Sequence, residues 1–208
     1  FEDDQFNAAK SVAAVKKLVN NEKVFAIVGA VGTPGIIANL DFIKKKGIPF
    51  VYQGSGVHNL YTPPKRNVFP VQPSYIFEGR LYVKFIYEHL KKKKIAVVYE
   101  TTAGISEISE STLKGMNQYV RRYRRKGVKI VGKVGISRGA SAAPVASRIK
   151  AMKPDVIVIV ALGATLIQVT KAIKEAGINT NRTPMITSYV NGSPAMFSLG
   201  GKYWNNIY

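Results

Sequence analysis

Cysteine is absent from the 208 residues, and histidine occurs only at His58 and His89. The first absence excludes disulfide scaffolds, thiolate metal sites and thiol nucleophiles, and leaves the redox compartment open. The second argues against a histidine-rich metal centre. Acids are scarce: 12 Asp and Glu stand against 31 Lys and Arg, a formal net charge of +19. Long apolar stretches are missing as well, because the longest, residues 156–162, is far short of the roughly 20 residues that a bilayer-spanning helix needs. Neither a fixed-period repeat nor a low-complexity tract is visible. The opening Phe1-Glu2-Asp3-Asp4 has no initiator methionine, basic n-region or apolar h-region, which sets the expectation that a leader has been removed or that the chain is an excerpt. What is present argues against disorder: 46% of residues are hydrophobic, 10% aromatic and 21% charged, enough to bury real cores.

Periodicity alternates between two types along the chain. Residues 4–22 carry Phe6, Ala9, Val12, Ala13, Val15, Leu18 and Val19 at helical spacing, with lysines on the other face. Residues 24–28, 48–52 and 68–71 are short, β-branched or aromatic runs of strand length, and residues 33–46 between the first two read as a helix. Further on, helices are expected over 75–90, 106–125, 143–152 and 164–176, and strands over 94–99, 128–134, 156–161 and 184–187. The run Val-Ile-Val-Ile-Val at 156–160 has no polar alternation, so both of its faces should be covered, as in a parallel sheet flanked by helices. The expected class is α/β with doubly wound parallel sheets. Pro63, Pro64, Pro70 and Pro73 interrupt the rhythm and mark a crossover between two lobes.

Ligands of open parallel sheets bind beyond the carboxyl ends of the strands. The first such turn here is Gly29-Ala30-Val31-Gly32-Thr33-Pro34-Gly35, where Thr33 reads as an N-cap and Pro34 as N1. Free N–H groups at a helix start favour an anion, most simply a carboxylate; the alternative is that Thr33-Pro34 only starts a helix. The turn lacks the Lys-Ser/Thr of a P-loop and is not G-x-G-x-x-G, so a nucleotide-dependent enzyme has no signature here. The second turn, Gln53-Gly54-Ser55-Gly56-Val57-His58, offers a hydroxyl and bare backbone at the same sheet edge, or is a plain glycine turn.

Catalysis finds little support. Ser55 lacks a G-x-S-x-G elbow, His58 reads as a solvated loop residue, and Glu107 and Glu110 sit in a first helical turn where acids favour the dipole. No catalytic residue, metal or cofactor is expected. The basic runs 44–46, 91–94 and 121–126 fall at helix C-termini, where the dipole stabilises cations. They read as solvated faces, with no motif for specific nucleic-acid binding but with weak attraction to anionic membranes and polymers expected of the net charge.

Taken in order, Asp3-Asp4-Gln5, the helix ending Lys17-Leu18-Val19, and residues 23–34 resemble the branched-chain-amino-acid type of extracytoplasmic solute-binding protein of ABC importers. Gly47-Ile48-Pro49-Phe50, Ser55-Gly56, Gln72-Pro73-Ser74-Tyr75, Glu78, residues 94–99 and Pro154-Asp155-Val156 follow in that family's order. The resemblance implies a type I periplasmic-binding fold, two α/β lobes joined by a hinge and closing on a small solute. The first lobe would be residues 1–74, lacking its opening strand and helix and its closing segment, and the second residues 75–208.

The resemblance also implies a location in the periplasm or otherwise outside the cytoplasm, with or without a lipid anchor, and an ABC permease as partner. A ligand-sensing receptor or regulator on the same fold is the alternative. Residue by residue, Val31, Gly32 and Thr33 match the carboxylate-holding turn, and Gly54, Ser55 and Gly56 the second-strand turn. In the second lobe Ala103 and Gly104, Leu162 and Gly163, and Ser188 and Tyr189 match the ligand-facing turns. Three positions depart from the amino-acid binders: Leu162 stands where a tyrosine is common, Ser188 where an acid meets the ammonium, and Thr102-Ala103-Gly104 where the turn usually carries an acid. A hydroxyl cannot neutralise a cation as a carboxylate does. The expected solute therefore has a carboxylate or other acceptor and no obligatory ammonium: an aromatic or aliphatic acid, or an amide.

Overall fold

The computed structural model describes residues 2–208. The chain forms two compact units, Phe1–Phe77 and Glu78–Tyr208.

In the first unit the helix expected from residue 4 starts later, as α1 (Ala8–Lys16), continued by one π-helical turn over Lys17–Asn21. The reason is local. Asp3 and Asp4 accept the N–H groups of Gln5 and Phe6 at 2.9 Å, closing turns that compete with a helix, and Asn7 then caps α1 through Lys10 N–H. Three strands follow, β1 (Ile27–Val28), β2 (Phe50–Val51) and β3 (Val68–Phe69), all parallel in the order β1-β2-β3. They are shorter than the apolar runs predict. β1 starts three residues later than expected; past its end Gly29 and Ala30 take φ of 93° and 69°, and Tyr52 past β2 takes 70°, so the backbone leaves the β region there.

Between β1 and β2 lies α2 (Thr33–Lys46), which ends on Gly47 at φ 69° with its N–H on Ile43 O and Lys44 O. That left-handed cap explains why a glycine follows the three lysines. Ile27, Phe50 and Val68 point into a core with Val15, Ile36, Leu40 and Ile43. Their neighbours Val28 and Phe69 face outward, 73% and 51% exposed.

The second unit contains α3 from Glu78 onward (the helix runs Tyr75–Glu88), β4 (Lys94–Glu100), α4 (Ser106–Tyr123), β5 (Lys129–Ile136), α5 (Ala143–Ala151), β6 (Val156–Val160), α6 (Gly163–Glu175) and β7 (Met185–Thr187). Its sheet is parallel throughout, in the order β5-β4-β6-β7. Ala96, Val98, Ile157 and Ile159 pack with residues of α5 and α6, while the alternate Ile95, Val97, Val156 and Val158 are equally buried on the other face. Every residue of β6 is buried, which accounts for its lack of polar alternation.

The last element expected from sequence ends at residue 187, yet the chain goes on to build α7 (Pro194–Gly200), a 3-10 turn over Gly201–Trp204, and a parallel bridge from Ile207 to Met185. Trp204 and Met196 join the core of the sheet's α5–α6 face.

Candidate functional site

In the first unit the two turns singled out from sequence meet. Beyond the ends of β1 and β2 the ladder resumes in a parallel bridge between Val31 and Gly54. Gly54 N–H donates to Ala30 O at 2.9 Å and Gly32 N–H to Gly54 O at 3.3 Å. The buried hydroxyls of Thr33 and Ser55 then share a hydrogen bond of 2.7 Å, and Ser55 Oγ accepts Val57 N–H at 3.2 Å. Tyr61 braces the same turn, its hydroxyl lying 3.4 Å from Ser55 O and donating to Gln72 O. Burial, and secondarily Tyr75, pushes that phenol up to about 12.

Two glycines have no substitute here. A Cβ on Gly56 would stand 2.3 Å from Pro73 O, and one on Gly32, whose φ is 116°, would stand 2.7 Å from the Phe6 ring. The N-cap is also one residue earlier than the sequence suggests: Gly32 is the cap, Thr33 opens α2, and Pro34 follows at the second position. The Thr33 hydroxyl reaches across to Ser55 and does not cap its own helix. The helix start still leaves the Thr33 and Gly35 N–H groups without intrahelical acceptors. Beside them Gln53 is fully buried, with neither amide atom partnered.

In the second unit the strand-end turns are tied by groups that the sequence reading passed over. Glu100, the last residue of β4 and wholly buried, accepts Leu162 N–H at 3.1 Å through Oε2 and lies 3.4 Å from Arg138 Nε through Oε1. An acid therefore stands one residue before the acid-free turn 101–104, and it engages the β6–α6 turn. Asn191 accepts Gly163 N–H at 3.4 Å and donates to Ala161 O at 3.0 Å and Thr187 Oγ1 at 3.1 Å, joining the turn after β6 to the turn after β7.

Ala103 is exposed and Gly104 buried, at φ 82°. Leu162 and Gly163 are half-buried, Tyr189 is 38% exposed, and Ser188 is buried. Behind Ser188 and Tyr189 lies Glu78, whose Oε1 accepts the Tyr82 hydroxyl at 2.6 Å and Tyr189 N–H at 3.0 Å while Oε2 has no partner. Burial raises this carboxyl above its ordinary range, with the Tyr82 hydroxyl, Tyr189 N–H and the Ser188 hydroxyl pulling the other way. Burial, with Glu78 next, likewise pushes the Tyr82 phenol up.

The sequence-predicted residues thus group by unit: Val31, Gly32, Thr33, Gly54, Ser55 and Gly56 in the first, and Ala103, Gly104, Leu162, Gly163, Ser188 and Tyr189 in the second. Glu100 and Asn191 are the additions, together with Glu78, which the sequence offered as a position of family resemblance and not as a site residue. Each set offers main-chain amides and alcohols at strand ends. Among the described residues no group of three or more His, Asp or Glu side chains is disposed to hold a metal, and no helix is long and apolar enough to cross a membrane.

A family model described as periplasmic binding protein matches residues 1–208. No curated protein matches the chain. Among solved structures, a periplasmic binding protein type 1 from Bordetella pertussis Tohama I superposes with a TM-score of 0.79 at 19% identity, over 99% of this chain and 54% of that one. A branched chain amino acid ABC transporter structure from Thermus thermophilus with bound valine gives 0.81 at 19%, over 99% and 51%. A solute binding protein of an ABC transporter from Rhodopseudomonas palustris BisB5, in complex with 3,4-dihydroxy benzoic acid, gives 0.72 at 17%, over 89% and 49%. The fold is the type I periplasmic-binding fold, and the chain spans about half the length of the structures it matches.

Proposed function

We propose, from the premise that the chain belongs to the periplasmic binding protein family, that it holds a small carboxylate-bearing solute at the carboxyl ends of its parallel strands and releases it unaltered to an ABC-type permease outside the cytoplasm. The observation that carries this reading is the 2.7 Å bond between Thr33 and Ser55, which locks two glycine-containing turns side by side at the start of α2. Unpaired amides at a helix start and the positive end of its dipole are complementary to a carboxylate. In this reading Val31, Gly32, Thr33, Gly54, Ser55 and Gly56 serve the acid group. Ala103, Gly104, Leu162, Gly163, Ser188 and Tyr189 serve the remainder of the solute. Residues 1–74 and 75–208 are the two lobes, a division supported by the compact units Phe1–Phe77 and Glu78–Tyr208. No bond is made or broken.

The acids near these turns favour a solute without an ammonium group. Glu100 is wholly buried and engaged with Leu162 N–H and Arg138. Glu78 is buried, engaged with Tyr82 and Tyr189, and shifted toward its neutral form. Neither presents an exposed anion, and Glu107, half-buried in the first turn of α4, accepts the Ser106 hydroxyl at 3.1 Å. Valine and 3,4-dihydroxy benzoic acid, the molecules in two of the related structures, share a carboxylate, and only one has an amine. Calorimetry with a panel of aromatic acids, aliphatic acids, amides and branched amino acids tests the assignment. Binding of an acid or amide that lacks an amine is expected; binding of leucine or valine with every such compound silent contradicts it.

A further inference from the structure

We infer that the edge of the second unit remote from its candidate ligand turns is a docking surface for anionic phospholipid. In a parallel sheet every strand starts at one edge, so the four segments that lead into β4, β5, β6 and β7 converge there. Backbone bonds confirm the convergence: Lys129 N–H donates to Lys93 O at 2.9 Å, Asp155 N–H to Lys94 O at 2.8 Å, and Ile157 N–H to Pro184 O at 3.0 Å. Lys92 Nζ adds a bond to Arg182 O at 3.0 Å.

These segments, residues 88–94, 121–129, 150–155 and 174–184, hold fourteen Lys or Arg against three Asp or Glu. The opposite edge, residues 100–107, 136–143, 160–163 and 187–194, holds one cation against two acids. The unit is therefore electrically polarised along its strands, and the seven residues of β4 separate the two edges by roughly 23 Å. Asp155 is bound into the cluster, accepting Lys94 N–H at 2.9 Å and pairing with Lys94 Nζ at 3.7 Å. The arginines of 121–125 are exposed.

A helix dipole accounts for one or two cations at each helix end, not for four exposed arginines within five residues. Charge complementarity calls for a polyanion, and an anionic bilayer is the one that a protein outside the cytoplasm lies beside. Each Lys or Arg near such a surface adds a similar increment of attraction. Three half-buried tyrosines sit among these cations: Tyr87 and Tyr123 pack as tilted rings with centroids 5.0 Å apart, Tyr119 lies beside Tyr123, and Arg122 lies 5.6 Å over the Tyr119 ring. Amphipathic rings of this kind favour the headgroup level of a membrane. Bound this way, the unit would turn its ligand edge toward solution, leaving it open to solute.

Cosedimentation with vesicles tests the proposal. The unmodified chain should bind vesicles of equimolar phosphatidylglycerol and phosphatidylcholine at about 0.1 M salt, release them at about 1 M, and ignore pure phosphatidylcholine. Replacing Arg121, Arg122, Arg124 and Arg125 by Glu should weaken binding roughly tenfold or more. An equal charge change in the first unit, at Lys16, Lys23, Lys44 and Lys45, should leave binding close to that of the unmodified chain. Failure to bind anionic vesicles at low salt, equal losses in both variants, or preference for a single-stranded oligonucleotide over vesicles at matched phosphate overturns the proposal. The vesicle and salt arms need no variant, so a misfolded variant does not remove the test.

Discussion

Thr33 and Ser55 hold their hydroxyls 2.7 Å apart, both buried; Thr33 depends on Ser55 for its partner, while Ser55 also accepts Val57 N–H. Replacing either by Ala should cost about 1–3 kcal/mol, more for Ser55, whose loss leaves the Thr33 hydroxyl and Val57 N–H without their partner. The double variant should be less destabilised than the sum, and a double-mutant cycle by denaturant titration reads the coupling. Additive losses would show that the two hydroxyls do not act as a pair. Glu78 makes a separate prediction. Its carboxyl is raised by burial, so the stability of the protonated form is fully present below the ordinary glutamate value of about 4.3 and is lost as pH rises through the raised value. Glu78→Gln does not titrate, so its melting temperature relative to the unmodified chain should climb between pH 4 and 8. A difference independent of pH contradicts the assignment. The turn residues Thr33 and Ser55 were legible in sequence because glycine, hydroxyl and proline signal local geometry. Glu78, Glu100 and Asn191 were not, because their partners lie 111, 62 and 30 residues away.

At the scale of elements, hydrophobic period was enough to read most helices and strands, and the fully apolar run of β6 announced a strand covered on both faces. Lengths in the first unit were less legible. Positive φ at Ala30 and Tyr52 depends on how β1 and β2 leave the sheet, and no residue type there advertises it. The C-terminal elements were missed for a different reason: α7 spans only seven residues, too few to establish a helical period. Helix packing gives a prediction of its own. Ala in place of a helical Gly ordinarily stabilises by about 1 kcal/mol, yet a Cβ on Gly79 would stand 2.0 Å from Thr112 O, where α3 meets α4. The clash should win, and Gly79→Ala should lose about 1–3 kcal/mol in a denaturant titration. A gain in stability would mean that the two helices can separate without loss.

For the whole molecule, the +19 charge was legible at once, but its arrangement was not. The basic runs read as three scattered helix ends until the parallel topology gathered two of them, 91–94 and 121–126, at one edge of the second unit. The same topology places the second unit's candidate ligand turns at its other edge, so strand direction separates solute recognition from diffuse anion recognition within that unit. Backbone amide NMR of the uniformly 15N-labelled chain, titrated with whichever acid calorimetry finds to bind, tests this arrangement most directly. The account predicts saturable shifts at Gly32, Thr33, Ser55 and Gly56. Saturable shifts confined to residues 91–94 and 121–126, with those four amides unmoved, would contradict it.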